Sequence, residues 1–319
     1  MVLKSNKLTG LSFYGLMQVG CILLLAFSLA PLLSGAIWYL DLFTHFRFQY
    51  LIIAVVFAIG FVVLKQKIYS ALAVLLILFN AVYVIPIYTQ QPSESGGMQG
   101  KAIKLFHINV LTSNTQYDRL IEQVLAEDPD VVLLQEVDAL WMAQLDVLRE
   151  KYQHQIEAPR ADNFGMAVFS KIPITDYEIH LWSDFELPNI EAEFDLDGVA
   201  FRMIATHPPP PVNQRYFDAR TSQFESIAAL IKTDELPTIV IGDLNTTIWS
   251  DSYQILLTDT GLTNASDGFG YLPTWPTNLF PMMIPIDHCL VSEAFRVVDI
   301  RTGVNVGSDH LPLVVEFRF

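Results

Sequence analysis

The first 88 residues contain three long stretches without charge, and these constrain the fold more than any other feature of the sequence. The first stretch, residues 8–40, exceeds the roughly 20 apolar residues that cross about 30 Å of hydrocarbon. The second has 17 uncharged residues between Arg47 and Lys65, at the short end for a crossing helix. We predict three transmembrane helices over about residues 11–40, 48–64 and 68–88.

A cleaved signal peptide is the alternative interpretation of the first stretch, because lysines precede it. The stretch is too long for a signal peptide, however, and two more follow. With three spans, four lysines share the side that the positive-inside tendency assigns to the cytoplasm: Lys4, Lys7, Lys65 and Lys67. The chain after residue 88 then faces outward, although Lys101 and Lys104 weaken the contrast and an even number of spans would reverse it.

Charge divides the chain at about residue 100. Residues 101–319 hold 14 basic and 32 acidic residues, a net charge of −18, whereas the first 100 residues hold only seven charged side chains. This balance argues against a broad basic surface that grips a nucleic-acid backbone. The two cysteines, Cys21 and Cys289, exclude a disulfide framework and a CxxC metal site. We therefore expect a membrane region (1–88), a flexible polar linker (89–100) and an acidic domain (101–319) close to the bilayer.

The acidic domain alternates short β-branched runs with helical patterns, which predicts one α/β domain. Strands are expected in AIKLFHINV, PDVVLLQEV, GMAVFSK, GVAFRMIATH, PTIVIGD, IDHCLVS and LPLVVEF. Helices are expected in YDRLIEQVLAED and in NQRYFDARTSQFESIAALIK. Polar and acidic residues gather where the strands end, and a rigid sheet can hold side chains from such loops around one point.

Six chain segments place polar side chains at strand ends: Asn109, Glu136, His207, Asp243 with Asn245, Asp287 with His288, and Asp309 with His310. Carboxylate and amide oxygens are the ligands that Mg²⁺ accepts. Two histidines and an Asp-x-Asn pair add proton transfer and phosphate binding, so the set suits metal-assisted phosphoester hydrolysis. Taken singly, each residue is more often a turn, cap or hydrogen-bonded structural residue; only their joint order favours the catalytic interpretation.

Three motifs resemble the endonuclease/exonuclease/phosphatase superfamily, which includes deoxyribonuclease, sphingomyelinases and inositol phosphatases: QEV at 135–137, GDLN at 242–245 and SDHLP at 308–312. ATHP and IDH give weaker support, and the resemblance covers about residues 102–319. It implies a four-layer α/β sandwich, with two mixed sheets packed face to face and helices outside. It also implies a hydrolase that uses Mg²⁺, or alternatively Mn²⁺ or Ca²⁺.

The resemblance assigns roles residue by residue. Asn109 and Glu136 would lie beside the metal, with Glu136 as the principal ligand and Asp309 supporting the metal and water. Asp243 would orient the attacking water and Asn245 would hold a phosphate oxygen. His310, fixed by Asp287, would act as general acid or base, and His207 would stabilise the phosphoryl group. No carboxylate partner for His207 is evident, and the substrate-specific insertions of the family are not identifiable in this short domain, so substrate specificity is open.

The apolar segment 269–286 directly precedes Asp287 and is either a core-packing loop or a rim that binds acyl chains. In the second case its substrate-binding residues would be Trp275, Phe280, Met282 and Met283. Three functions are then open: a membrane-anchored phosphoesterase acting on a phospholipid or sphingolipid head group, a membrane-tethered nuclease outside the cytoplasm, and a non-catalytic phosphate-ligand sensor. We expect a bacterial inner-membrane protein with a periplasmic domain, and the sequence identifies no protein partner.

Overall fold

The structure is a computed structural model that describes residues 13–90 and 100–319. The chain divides into two compact units, Met1–Ile85 and Pro86–Phe319. Lys4 and Lys7, and residues 91–99 of the predicted linker, lie outside the described residues.

The first unit is helical. Its α-helices are α1 (Phe13–Leu29), α2 (Arg47–Val63) and α3 (Lys67–Val84), with 3-10 segments at Ala30–Leu33 and Trp38–Phe46. Three continuous helical segments are long and apolar enough to cross a membrane: Phe13–Leu33, Trp38–Val63 and Lys67–Val84. The first segment ends at Leu33, before the predicted residue 40. The second begins at Trp38, before Arg47, and the buried Arg47 side chain contacts the other two helices.

A polar contact joins the three helices of this unit. The Arg47 guanidinium on α2 donates to the Ser28 carbonyl on α1 at 2.7 Å and lies 3.4 Å from Oδ1 of Asn80 on α3. Asn80 Nδ2 donates to Ser28 Oγ at 3.1 Å, and the Tyr83 ring lies 4.1 Å from the guanidinium carbon. Ser28, Arg47 and Asn80 are all buried, so each helix supplies one member of a buried polar network.

The second unit contains two six-stranded sheets. The first sheet has the order β11–β12–β1–β2–β4–β3 and consists of β1 (Ala102–Asn109), β2 (Val131–Gln135), β3 (His154–Ala158), β4 (Met166–Ser170), β11 (Arg296–Thr302) and β12 (Leu313–Arg318). The second has the order β5–β6–β7–β8–β10–β9 and consists of β5 (Ile174–Trp182), β6 (Leu187–Leu196), β7 (Val199–Ala205), β8 (Thr238–Asp243), β9 (Thr263–Asn264) and β10 (Asp287–Val291).

Helices cover the outer face of each sheet, which confirms the expected four-layer α/β sandwich. The helices of the unit are α4 (Pro86–Thr89), α5 (Tyr117–Glu127), α6 (Ala139–Leu145), α7 (Gln214–Ile231) and α8 (Asp251–Thr260), with 3-10 turns at Asp146–Glu150 and Phe280–Met282. Side chains of α5 and α6 pack on the first sheet, and those of α7 and α8 on the second. The inner faces of both sheets enclose one apolar core.

Strand direction brings the predicted polar segments together. β1 and β2 run parallel with Asn109 opposite Gln135, and β7 and β8 also run parallel. β10 pairs antiparallel with β8 and places Asp287 opposite Asp243. The carboxyl ends of four strands and the start of a fifth therefore meet at one end of the sandwich.

Candidate active site

Asn109 and Glu136 lie side by side at the ends of β1 and β2. Nδ2 of Asn109 donates to Glu136 Oε1 at 2.9 Å and lies 3.3 Å from Asp243 Oδ2, so one amide nitrogen lies between two carboxylates. The amide oxygen instead accepts from the Leu111 backbone N–H at 3.1 Å. The second Glu136 oxygen accepts from the Thr112 N–H at 3.2 Å. The geometry thus lets Asn109 orient carboxylates, and its direct ligation of a metal stays a prediction.

Gln135 joins the two sheets beneath the site. Its Nε2 donates to the Thr206 carbonyl at 2.8 Å, and its Oε1 accepts from the Asp243 N–H at 2.9 Å. A side chain at Gly242 would meet the Thr206 carbonyl oxygen at 1.9 Å, so only glycine allows this approach. The bridge fixes the backbone from which Asp243 projects.

Asp243 is the central carboxylate of the site. Its Oδ1 accepts from the Asn245 N–H at 2.9 Å. Its Oδ2 lies 3.3 Å from Asn109 Nδ2, 3.5 Å from His207 Nε2 and 3.6 Å from His310 Nε2. This carboxylate therefore faces both imidazoles predicted to act on the phosphoryl group.

Asp287 lies between two histidines, of which sequence reasoning identified one. His310 Nδ1 lies 2.8 Å from Asp287 Oδ2, which agrees with the predicted pair. His107 Nε2 lies 2.9 Å from Asp287 Oδ1, and this contact was not predicted. His288, the next residue on β10, points to the opposite face of the strand, where its Nε2 donates to the Thr246 carbonyl at 2.9 Å.

The charges of Asp287 and His310 shift the pKa of each group in the direction opposite to the effect of burial. Burial alone would raise the pKa of the Asp287 carboxyl, but the charge of His310 and hydrogen bonds from His107 and His310 hold this pKa below its usual range. Burial would lower the pKa of His310, but the charges of Asp287 and Asp243 raise it above its ordinary value. The arrangement favours a protonated imidazole at the site, as a general acid requires.

The segment 308–310 is tied to β1 and to the apolar segment. Ser308 Oγ donates to the Asn109 carbonyl at 2.7 Å and accepts from the His310 N–H at 3.0 Å. Asp309 Oδ2 accepts from the Trp275 indole N–H at 3.0 Å. One Asp309 oxygen is thus held by an aromatic side chain of the neighbouring segment, and its support of a metal stays a prediction.

His207 and Asn245 border the site on another side. Asn245 Nδ2 donates to the Pro208 carbonyl at 3.0 Å, and the Arg220 guanidinium donates to the Asn245 carbonyl at 2.9 Å. The Phe164 ring lies 5.1 Å from the His207 ring. Within the described residues, Nδ1 of His207 has no hydrogen-bond partner, so its one carboxylate neighbour is Asp243 on the other nitrogen.

Glu136 and Asn245 share an uncommon backbone conformation. Their φ angles are +61° and +49°, in the left-handed region. Such residues cost about 1 kcal/mol or more each and cluster at functional sites.

The apolar segment divides between core and surface. Phe269 and Leu272 pack on the central core, as a core loop would. Phe280 is 80% exposed and Met282 39% exposed. The prediction of an exposed rim is wrong for Met283, whose side chain is 5% exposed, and Tyr271 Oη donates to the carbonyl of this residue at 2.7 Å.

A divalent cation fits the oxygen-rich side of the site. Glu136 and Asp243 provide carboxylate oxygens around one amide, the hard donors that Mg²⁺ accepts. Asp243, Asp287 and His310 also bring ligand atoms within 4.8 Å of one another. Both oxygens of Asp287 are already occupied by histidines, however, so the Glu136 side is the better candidate.

Sequence reasoning missed His107, Gln135 as a bridge, Ser308 and Thr112. His107 carried a usable signal, because it lies two positions before Asn109 on one strand and therefore faces the same side. The partners of Gln135 and Ser308 lie 71 and 199 positions away, so local pattern could not identify them.

The fold and site together define a phosphoester hydrolase of the nuclease and phosphatase type. The profile of the Endonuclease/Exonuclease/phosphatase family matches residues 106–310, and the chain belongs to this family. Members of the family hydrolyse phosphoester bonds and generally use divalent metal ions. A search of curated proteins finds no match.

Solved structures share the fold at low sequence identity. D. rerio TDP2 in complex with single-strand DNA product has a TM-score of 0.57 and 18% identity, covering 69% of this chain and 100% of that chain. Sphingomyelinase C from Streptomyces griseocarneus has a TM-score of 0.53 and 18% identity, covering 68% and 99%. An endonuclease/exonuclease/phosphatase protein from Bacteroides vulgatus has a TM-score of 0.57 and 20% identity, covering 69% and 99%.

Proposed function

We propose that this protein is a membrane-anchored, Mg²⁺-dependent phosphoesterase that hydrolyses a phosphodiester or phosphomonoester of a lipid head group. The proposed location is a bacterial inner membrane, with residues 101–319 on the periplasmic side. The predicted linker, residues 89–100, is short enough to keep the domain near lipid head groups.

The observation that carries the proposal is the pairing of an acidic phosphoesterase site with exposed apolar side chains in a chain that also holds three apolar helices. Phe280, Leu279 and Met282 are exposed on the segment that Trp275 joins to Asp309. Exposed aromatic and aliphatic side chains of this kind enter the apolar boundary of a bilayer. The similarity to a structure described as sphingomyelinase C is compatible with such a substrate.

Each polar residue has a proposed task. Glu136, with Asn109 and Asp309 in support, would hold the cation, which when bound would polarise a phosphoryl oxygen. Asp243 would orient the attacking water, while His207 and the Asn245 amide would bind phosphoryl oxygens. His310, oriented by Asp287, would deliver a proton to the leaving oxygen.

The central test uses the full chain in detergent with a panel of phospholipid and sphingolipid head groups in mixed micelles. We expect Mg²⁺-dependent release of the head group or of phosphate. EDTA should stop it, and Glu136→Ala and His310→Ala should each lower turnover to the background of the assay. Turnover that survives both substitutions would remove these residues from the mechanism.

The apolar rim has its own test. Phe280→Ser should raise KM for micellar substrate, because it removes apolar contact area, and should leave turnover of a soluble phosphodiester unchanged. Val199→Ser is a matched control, since Val199 is also exposed but lies at the opposite end of β7 from His207. Equal effects of the two substitutions, or an equal loss on soluble substrate, would contradict a lipid-binding rim.

A membrane-tethered nuclease is the second candidate, favoured by the fold shared with D. rerio TDP2 bound to single-strand DNA product. The net charge of −18 after residue 100 opposes it, because phosphate contacts supply most nucleic-acid affinity. A plasmid-nicking and single-strand digestion assay on the same preparation separates the candidates, with Glu136→Ala as the blank.

A further inference from the structure

His107 is a buried imidazole that contacts Asp287 and has no task in the proposed chemistry. It lies on β1 two residues before Asn109, and its side chain is 0% exposed. Its Nε2 lies 2.9 Å from Asp287 Oδ1. A carboxylate oxygen only accepts, so Nε2 carries the hydrogen.

The other ring nitrogen of His107, among the described residues, makes no hydrogen bond that competes with the one to Asp287. Among residues 13–90 and 100–319, Nδ1 of His107 has no hydrogen-bond partner. Nδ1 therefore offers no contact that would turn the ring away from Asp287. Within the described part of the chain, the only hydrogen bond of this side chain is therefore with Asp287.

Asp287 is held from two sides. One oxygen faces His107 of β1 and the other faces His310, which precedes β12, while Asp287 itself begins β10 of the other sheet. A buried carboxylate bound through one oxygen can still rotate about its Cβ–Cγ bond. A second donor on the opposite oxygen removes this freedom and keeps Oδ2 directed at His310 Nδ1.

We propose that His107 is a positioning residue that fixes the Asp287 carboxylate, so that Asp287 in turn holds the His310 ring in the orientation needed for proton transfer. Among the described residues, the His107 side chain has a hydrogen bond to Asp287 and none to Glu136, Asp243, His207 or His310. Its effect passes through Asp287 alone. The kinetic part of this inference rests on the proposed function, and the geometric part does not.

Two substitutions separate the hydrogen bond from the volume of the side chain. His107→Gln keeps a donor, because the glutamine amide nitrogen reaches about as far as Nε2. It loses no hydrogen bond at Nδ1, because that atom has no partner among the described residues. His107→Met has similar length and no donor. We expect His107→Met to lower kcat for a soluble phosphodiester by about 10- to 100-fold with KM changed less than about twofold. His107→Gln should recover most of the loss.

The fold and the active site are monitored separately. His154→Met, on strand β3 at the far edge of the first sheet, is the control for a histidine-to-methionine change. Mg²⁺ affinity, measured by calorimetry, should be unchanged in His107→Met. Wild-type kcat in His107→Met, or an equal kcat loss in His107→Gln and His107→Met, would overturn the proposal. If His107→Met does not fold, His107→Asn replaces it, because its amide is too short to reach Oδ1.

A spectroscopic measurement needs no turnover. In protein labelled with ¹⁵N-histidine, the Nδ1–H of His310 should give a protected downfield signal that disappears in His310→Gln. We expect this signal to persist in His107→Gln and to be lost or shifted in His107→Met. An unchanged signal in His107→Met would overturn the positioning role. If the wild type hydrolyses no phosphoester while the signal responds as expected, the proposed function fails and the positioning role stands.

Discussion

Gly242 shows how one residue can limit the whole site. Its φ is +155°, and an added Cβ would lie 1.9 Å from the Thr206 carbonyl oxygen and 2.7 Å from Gln135 Nε2. The close approach is what allows Gln135 to bond to both Thr206 and the Asp243 backbone.

We expect Gly242→Ala to destabilise the protein by more than about 3 kcal/mol, because backbone atoms of two strands would have to separate. Thermal unfolding in detergent, followed by tryptophan fluorescence, measures this. Gly198→Ala is the control: Gly198 also has positive φ, at +89°, but has open space around it and should cost about 1 kcal/mol. Similar costs at both positions would contradict the close-packing argument.

Asp267 predicts a pH dependence away from the site. Burial raises the pKa of its carboxyl from 3.8 to about 6. A folded-state pKa above the unfolded value means that the native state binds the proton more tightly. The contribution of the protonated Asp267 carboxyl to the free energy of unfolding is therefore fully present below about pH 4 and is lost as pH rises through about 6.

Asp267→Asn removes the ionisation and should therefore stabilise the protein by up to about 2 kcal/mol at pH 7.5, with little gain near pH 4. Unfolding midpoints at the two pH values test this. A gain of equal size at both would show that the amide stabilises by some route other than the lost charge.

Among individual residues, the sequence indicated most of the polar side chains that meet at the site, because each follows or precedes a β-like run. It could not indicate His107 as a partner of Asp287, which lies 180 positions away. The prediction of an exposed rim was wrong for Met283, because an irregular loop has no periodicity from which the direction of a side chain can be predicted.

Among the elements, the network of Arg47, Ser28 and Asn80 joins the three long helices of the first unit. Interhelical polar contacts of this kind are worth about 1 kcal/mol in a membrane environment. Asn80 touches both other residues, so it is the member whose loss disturbs the most contacts.

We expect Asn80→Leu to lower the resistance of the helical unit to unfolding in sodium dodecyl sulfate, measured by circular dichroism, by about 1 kcal/mol. Leu78→Ala, at an exposed position on the same helix, should change it less. A larger effect at Leu78 would show that apolar contacts rather than the polar network hold the helices together.

Elements with strong periodicity or a continuous apolar run could be predicted, such as β1, β2, β8 and α7. β5 and β6 were missed because Glu, Asp and His interrupt their alternation, and their register contains a bulge between Ile174 and Asp176. The edge strands β3 and β11 were missed for a similar reason, since neither has a continuous apolar run.

For the whole molecule, the orientation in the membrane is open to a direct experiment. Both natural cysteines, Cys21 and Cys289, are fully buried and should not react with a maleimide. We expect Val304→Cys, an exposed position of the second unit, to be labelled by a membrane-impermeant maleimide in intact spheroplasts. Leu64→Cys, beside Lys65, should be labelled only after permeabilisation. The reverse pattern would place the catalytic domain in the cytoplasm.

The two-sheet arrangement itself was available only through the resemblance to a known family. Short strands separated by loops do not specify which strands pair, and here strands distant in sequence, β1 and β12, are neighbours.

The order of strands also bears on synthesis of the chain. The second sheet is built from one continuous stretch, residues 174–291, whereas the first sheet needs β12 between β1 and β11. His310 therefore reaches Asp287 only after all six strands of the second sheet have been synthesised. A nascent chain that ends before residue 308 would carry Glu136 and Asp243 without the imidazole of His310, so the group of polar residues described above would still be incomplete when the second sheet is already whole.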